Sequence, residues 1–305
     1  GKILALRRYN RAVVIDLLGN EPTSTRVWGV GQDRFHGSAT VMADGQVLVS
    51  GGSMVPNVAF GVAYSGRIWN PANNSWTSTP SAKRMRLYHS VSLLLPDGRV
   101  LLAGGGAPGP QNNLNAEIYT PPYLYRRDWS GTLAARPSIT AAPTTAGWGQ
   151  SIAVSTDASA ISRVALVKTG SATHTVDFDQ RFLPLSFTSK GTALTVSMPA
   201  STQVAPPGFY MLFAFNKDGV PSVARITAAS SSVMKCWRLN SPVSGSRRVS
   251  SVLRRTMNHT TVVAAKAKLI HMPARCHCIA MSASTSRTAT ARRRCAAKAS
   301  PPPAS

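Results

Sequence analysis

One pattern, written twice at a constant offset of 53 residues, limits the folds open to this chain more than any other feature. "FHGSATVMADGQVLVSGG", Phe35 to Gly52, aligns with "YHSVSLLLPDGRVLLAGG", Tyr88 to Gly105. In each copy an apolar strand meets an Asp-Gly turn, at Asp44-Gly45 or Asp97-Gly98, and a second strand ends on a glycine pair. Asp-Gly between alternating apolar runs is the strongest short hairpin signal. Each unit then carries a further strand with an aromatic, in "RIWNPANNSW" and "AEIYTPPYLY". The opening "GKILALRRYNRAVVIDLLGNEPTSTRVW" fits the same template entered after its Asp-Gly turn, with Arg7-Arg8 in place of the glycines. The predicted count is two and a half units.

A period near 50 with four strands, a Gly-Gly and a late Trp resembles the kelch repeat, in which each unit is one blade of a β-propeller. Residues 1–133 are therefore expected to form a partial propeller. A partial ring leaves sheet edges and apolar faces uncovered, so missing blades or self-association are expected to complete it. From about Arg136 the texture changes to short alternating strands, expected at Ser151–Val154, Ser162–Lys168, Pro184–Thr188, Ala193–Met198 and Gly208–Asn216. No helix period appears. This pattern predicts an immunoglobulin-like β-sandwich over residues 134–229.

The net charge of +23 invites a nucleic-acid reading, but its distribution argues against one. Residues 230–305 hold 14 Lys and Arg and no acidic residue, leaving 20 basic and 11 acidic residues in the rest. This tail is rich in Ser, Ala, Arg and Thr, ends in "PPPAS", and is expected to be disordered. It has one aromatic, Trp237, for stacking on bases, so no specific nucleic-acid partner is expected. All four cysteines, Cys236, Cys276, Cys278 and Cys295, lie in it, and "HMPARCHCIA" lacks the two separated ligand pairs of a zinc site. Cysteine usage therefore gives no compartment. Neither a signal peptide nor a membrane span is recognisable, and Asn73 and Asn258 begin Asn-x-Ser/Thr sequons.

Three histidines remain outside the tail: His36, His89 and His174. Adjacent side chains on a regular strand point to opposite faces, so Tyr88 and His89 share a target only at a strand entry. In a propeller that entry lies near the mouth of the central channel, where both could reach an axial metal. The alternative is a Tyr88 packed between blades and a His89 that caps a turn, and the aligned pair Phe35-His36 favours it. His174, in "TGSATHTVDFDQRFLPL", sits in a polar loop bounded by strands, where a solvated histidine is the ordinary outcome. Two imidazoles with a phenol would suit copper better than magnesium or calcium, which take oxygen shells.

"RLYHSVSLLLPDGRVLLAGGG", "AEIYTPPYLY", "ARPSI", "THTVDFDQRFLPL" and "GFYMLFAFNKDGVPSVARI" together resemble, in order, the C-terminal half of the galactose oxidase and glyoxal oxidase family, the copper radical oxidases. The resemblance covers about residues 1–228. It implies a seven-bladed kelch propeller followed by a sandwich that sends one loop up the propeller axis. It also implies secretion, and copper as cofactor. Tyr88 would be the axial tyrosine that accepts a proton, and His89 and His174 equatorial copper ligands. The implied reaction oxidises a primary alcohol or aldehyde, including carbohydrate substrates, and reduces O2 to H2O2. The family's radical tyrosine, linked to a cysteine, has no counterpart here, since residues 1–229 contain no cysteine and Tyr9 and Tyr64 lie in no matching motif. The expected chain is an incomplete oxidase, with a non-catalytic module that binds glycans or a protein partner as the alternative.

Overall fold

A computed structural model describes residues 1–6, 10–157 and 160–230; the tail expectations, including the cysteine cluster and Asn258, lie outside them. The described chain is all-β apart from one 3-10 turn at Pro122–Leu124. Its first part is three consecutive antiparallel meanders. The first is β1 (Lys2–Leu6), β2 (Arg11–Asp16) and β3 (Thr23–Trp28). The second is β4 (Phe35–Val41), β5 (Val47–Ser53), β6 (Ser65–Asn70) and β7 (Ser75–Ser81). The third is β8 (Val91–Leu94), β9 (Val100–Ala103) and β10 (Ala116–Tyr119). The repeat is thus visible as structure, with β4-β5 and β8-β9 closing on the Asp-Gly turns. Asn73 stands exposed in the turn between β6 and β7.

Neighbouring meanders pack face to face through small apolar cores. Val14 and Val27 meet Val47, Val49 and Trp69, and Leu48 and Ile68 meet Val100 and Leu102. The two innermost strands, β4 and β8, lie side by side and are joined by a buried hydroxyl pair, Thr40 and Ser92, 2.5 Å apart. Arg86 is buried beside β9 and β10, where it donates to Glu117, Asn115 and the Gly104 carbonyl.

The second part is two packed sheets. One holds β11 (Ile139–Ala141), β13 (Ser151–Thr156), β19 (Ala193–Ser197) and β18 (Phe187–Lys190), in that order. The other holds β12 (Thr145–Ala146), β21 (Arg225–Ala229), β20 (Gly208–Asn216), β14 (Ile161–Lys168) and β17 (Phe182–Leu185). A strand buried on both faces reads as a continuous apolar run. "FYMLFAF" of β20 is such a run: Tyr210, Leu212 and Ala214 fill the sandwich core, while Met211, Phe213 and Phe215 turn outward. That outward face packs on Ala43, Leu94 and Tyr123, so the sandwich seats against the Asp-Gly ends of the second and third meanders. Gly45, at φ 90°, allows this approach, since a Cβ there would fall 2.9 Å from the Phe182 ring. Arg136 fastens the joint by donating to the carbonyls of Asp97, Pro221 and Ser222.

The expected strand Pro184–Thr188 is corrected. The chain leaves one sheet at Leu185 and enters the other at Phe187, giving β17 and β18 on opposite layers. Pro184, which has no N–H, is accommodated because β17 is an edge strand.

Candidate metal centre

The site is built where the sandwich meets the inner strands. Between β14 and β17 the chain folds a small hairpin of β15 (Ala172–Thr173) and β16 (Val176–Asp177), which lies against β4 and β8. Gly170 permits the contact: a Cβ there would lie 2.5 Å from Leu93 of β8. His174 and Thr175 are the two turn residues, and both have positive φ, 50° and 72°. Two positive values in succession define a type I′ turn, whose usual occupants are Asn-Gly. A β-branched residue at the second position is strained.

Tyr88 and His89 also lie in a turn, just before β8, so a strand entry does bring the two side chains together. The Tyr88 and His89 rings stack at 3.9 Å between centroids, and the His174 ring lies 5.0 Å from His89 and 5.9 Å from Tyr88. His36, at the start of β4, packs its ring 4.9 Å from Tyr88 on the same cluster. The aligned Phe35-His36 pair favours a packing role in the sequence; in the structure His36 joins the ring cluster. The signal was present in the repeat, because β4 and β8 are equivalent strands and lie together. All three described histidines have left-handed backbone, with φ of 57°, 65° and 50°. Such conformations cost free energy in non-glycine residues and gather at functional sites.

The imidazoles are oriented by the chain. His89 Nδ1 donates to the Ala107 carbonyl at 2.8 Å, which leaves Nε2 as its lone-pair nitrogen. His174 Nδ1 is hydrogen-bonded to the Thr173 hydroxyl at 2.8 Å, a bond that holds the ring in place in either tautomer. Partial burial, and then the neighbouring His89, hold the His36 imidazole below its usual pKa. His89 and His174 are exposed, and Tyr88 is half-buried.

Among the described residues no three His, Cys, Asp or Glu side chains form a group able to hold a metal ion. The candidate donor set is therefore two imidazoles with a phenol. An ion about 2 Å from each Nε2 lies about 3 Å from each ring centre, so two imidazoles sharing it at a right angle have centroids roughly 4–5 Å apart. The His89–His174 separation of 5.0 Å fits, and the nitrogen-rich donor set fits copper.

The meanders seated on a β-sandwich share their fold with a solved copper-containing oxidase. Residues 136–228 match the family described as galactose oxidase-like, early set domain. Its relatives with printed names include a galactose oxidase and an aldehyde oxidase, and a copper-containing alcohol oxidase shares its fold. A galactose oxidase of Gibberella zeae is 41% identical over 196 residues, covering 62% of this chain and 28% of that protein. The aldehyde oxidase GLOX of Vitis pseudoreticulata is 29% identical over 216 residues, covering 63% of this chain and 40% of the relative. A solved fungal alcohol oxidase of the AA5 family, in complex with copper, superposes with a TM-score of 0.68 at 30% identity, covering 73% of this chain and 48% of its own. The chain thus spans less than half the length of these relatives. No helix among the described residues is long and apolar enough to cross a membrane.

Proposed function

We propose that this chain carries the copper-holding half of an alcohol or aldehyde oxidase site. In this reading residues 1–133 are kelch-type propeller blades, residues 134–229 the sandwich, and the protein is secreted. The observation that carries it is the meeting of Tyr88, His89 and His174 from positions 85 residues apart, with left-handed backbone at both histidines.

His89 and His174 would hold the ion through Nε2, each with its Nδ1 already committed. Tyr88 would lie over it and take the proton of a substrate hydroxyl at its phenolic oxygen. Bound copper supplies a Lewis-acidic centre and a one-electron acceptor. Oxidising a primary alcohol to an aldehyde removes two electrons, which O2 receives as H2O2. The second equivalent needs another redox group, and residues 1–230 offer no cysteine to link to a tyrosine. We therefore assign these residues metal binding rather than complete turnover. The same lack of cysteine favours the second reading, a non-catalytic module for glycans or a protein partner.

The test is a Cu2+ titration of the purified chain followed by electron paramagnetic resonance, with peroxide assayed on galactose, glycerol and methylglyoxal. Wild type should show nitrogen coupling that His174→Ala reduces, with no peroxide. Peroxide lost in His174→Ala would show that a radical partner is supplied. No copper binding would leave the module reading.

A further inference from the structure

His174 sits in a hairpin that cannot hold itself. Two residues per strand are too few for stability in water, and His-Thr is a poor pair for a type I′ turn. Strained backbone of this kind persists only where its surroundings over-determine it. The restraint here comes from β4. Its inner edge, not used by β5, would otherwise expose unpaired backbone groups. Gln180, three residues after β16, meets that edge with both ends of its side-chain amide: Oε1 accepts from the Val41 N–H at 2.5 Å, and Nε2 donates to the Ala39 carbonyl. A single side chain thus reproduces the pair of hydrogen bonds a neighbouring strand would make. Ser38 adds a buried bond from its hydroxyl to the Thr175 carbonyl at 3.0 Å. Asp177 closes the segment internally by accepting from the Ser171 and Asp179 N–H groups.

We infer that Gln180 is a positioning residue: its amide splints the His174 hairpin to β4, the strand that begins with Phe35-His36, and so sets the distance between His174 and His89. Both ends of the Gln180 amide are engaged with β4 backbone. The part of this inference that concerns copper rests on the reading above, and the part that concerns the hairpin does not.

The experiment is amide hydrogen exchange of the metal-free full chain, followed by Cu2+ titration, for wild type, Gln180→Leu and Gln180→Leu/Thr175→Gly. Gln180→Leu should speed exchange across residues 170–178 at least about 10-fold while β13 and β20 keep wild-type protection. Cu2+ affinity should fall about 10- to 100-fold, the range for losing a residue that orients a ligand, with one nitrogen fewer in the resonance spectrum. Relieving the turn with Thr175→Gly should recover part of both effects, which a purely structural defect at Gln180 would not show. Unchanged exchange in residues 170–178 would overturn the inference. Should Gln180→Leu loosen the whole sandwich, Gln180→Glu, which keeps the acceptor for Val41 and loses only the donor to Ala39, must still loosen residues 170–178 selectively or the inference fails. If wild type binds no Cu2+, the copper reading fails and the exchange result alone decides the role of Gln180.

Discussion

Tyr88 and His89 are consecutive in the chain, yet their rings stack 3.9 Å apart and 30° from parallel. A regular strand would send them to opposite faces. The left-handed φ of 65° at His89 delays β8 until Val91 and folds both rings to one side. Backbone strain is thereby exchanged for a convergent pair of donors, and the same exchange recurs at His174-Thr175.

That exchange predicts opposed effects on stability and metal binding. His174→Asn/Thr175→Gly gives the hairpin the residues its turn geometry favours, and removing the left-handed strain at Thr175 is worth about 1 kcal/mol or more. The double variant should show a higher urea midpoint than wild type and lose one nitrogen from its Cu2+ spectrum. A lower midpoint would mean that the two turn residues are not strained.

Asp44 predicts a pH dependence. Burial raises the pKa of its carboxyl above the ordinary value, outweighing the hydrogen bonds from Gln46 and the attraction of Arg163. A carboxyl with a raised folded pKa contributes fully below its unfolded pKa, about 3.9, and loses that contribution as pH rises through the folded value. Asp44→Asn, which cannot ionise, should gain stability relative to wild type as pH rises above about 4. Urea midpoints of the two proteins across that range check it, and a constant difference would exclude the linkage.

Arg86 and Glu117 form an ion pair at 2.8 Å with side-chain exposures of 4% and 23%. Glu117→Ala leaves the guanidinium with Asn115 Oδ1 and two carbonyls, so its cost should stay within about 1–3 kcal/mol. Arg86→Ala also strips those acceptors of their donor and opens a cavity, and should cost about 3 kcal/mol or more. Denaturant unfolding of both variants gives the order, and the reverse order would contradict this account.

The parts of this fold that local sequence reveals are those where one short segment dictates its own geometry. Asp44-Gly45 and Asp97-Gly98 announce their hairpins because the turn needs the positive φ of Gly45 and Gly98, and β20 announces itself by being apolar on both faces. The split between β17 and β18 at Ser186 was hidden, since an apolar run does not say which of two sheets each half will join. The hairpin β15-β16 was hidden too, because its turn has the wrong residues and its stability comes from partners more than 130 residues apart, Gln180 with Val41 and Ala39 of β4 and Ser38 of β4 with Thr175. At the site, Tyr88-His89 was legible as a motif. His36 was not, because its role depends on β4 lying beside β8, a long-range fact that only the repeat hinted at.

The bond that puts β4 beside β8 can be tested directly. Thr40 and Ser92 are buried, with exposures of 1% and 3%, and their hydroxyls lie 2.5 Å apart; the Thr40 hydroxyl also approaches the Ser92 carbonyl at 3.2 Å. Thr40→Val preserves shape but leaves the Ser92 hydroxyl unpaired in an interior that excludes water, at a cost of about 1–3 kcal/mol. Ser92→Ala strands only part of the Thr40 hydroxyl, which retains the carbonyl, and should cost less. Replacing both removes the donor-acceptor mismatch, so the double variant should be more stable than the sum of the singles predicts, by about 1 kcal/mol. A double-mutant cycle in urea measures this coupling. Because β4 carries His36 and β8 follows directly from Tyr88-His89, the singles should also disturb the His36–Tyr88 ring contact, read as a changed imidazole shift in nuclear magnetic resonance. Strict additivity with an unmoved resonance would show that apolar packing alone sets the spacing of the two strands.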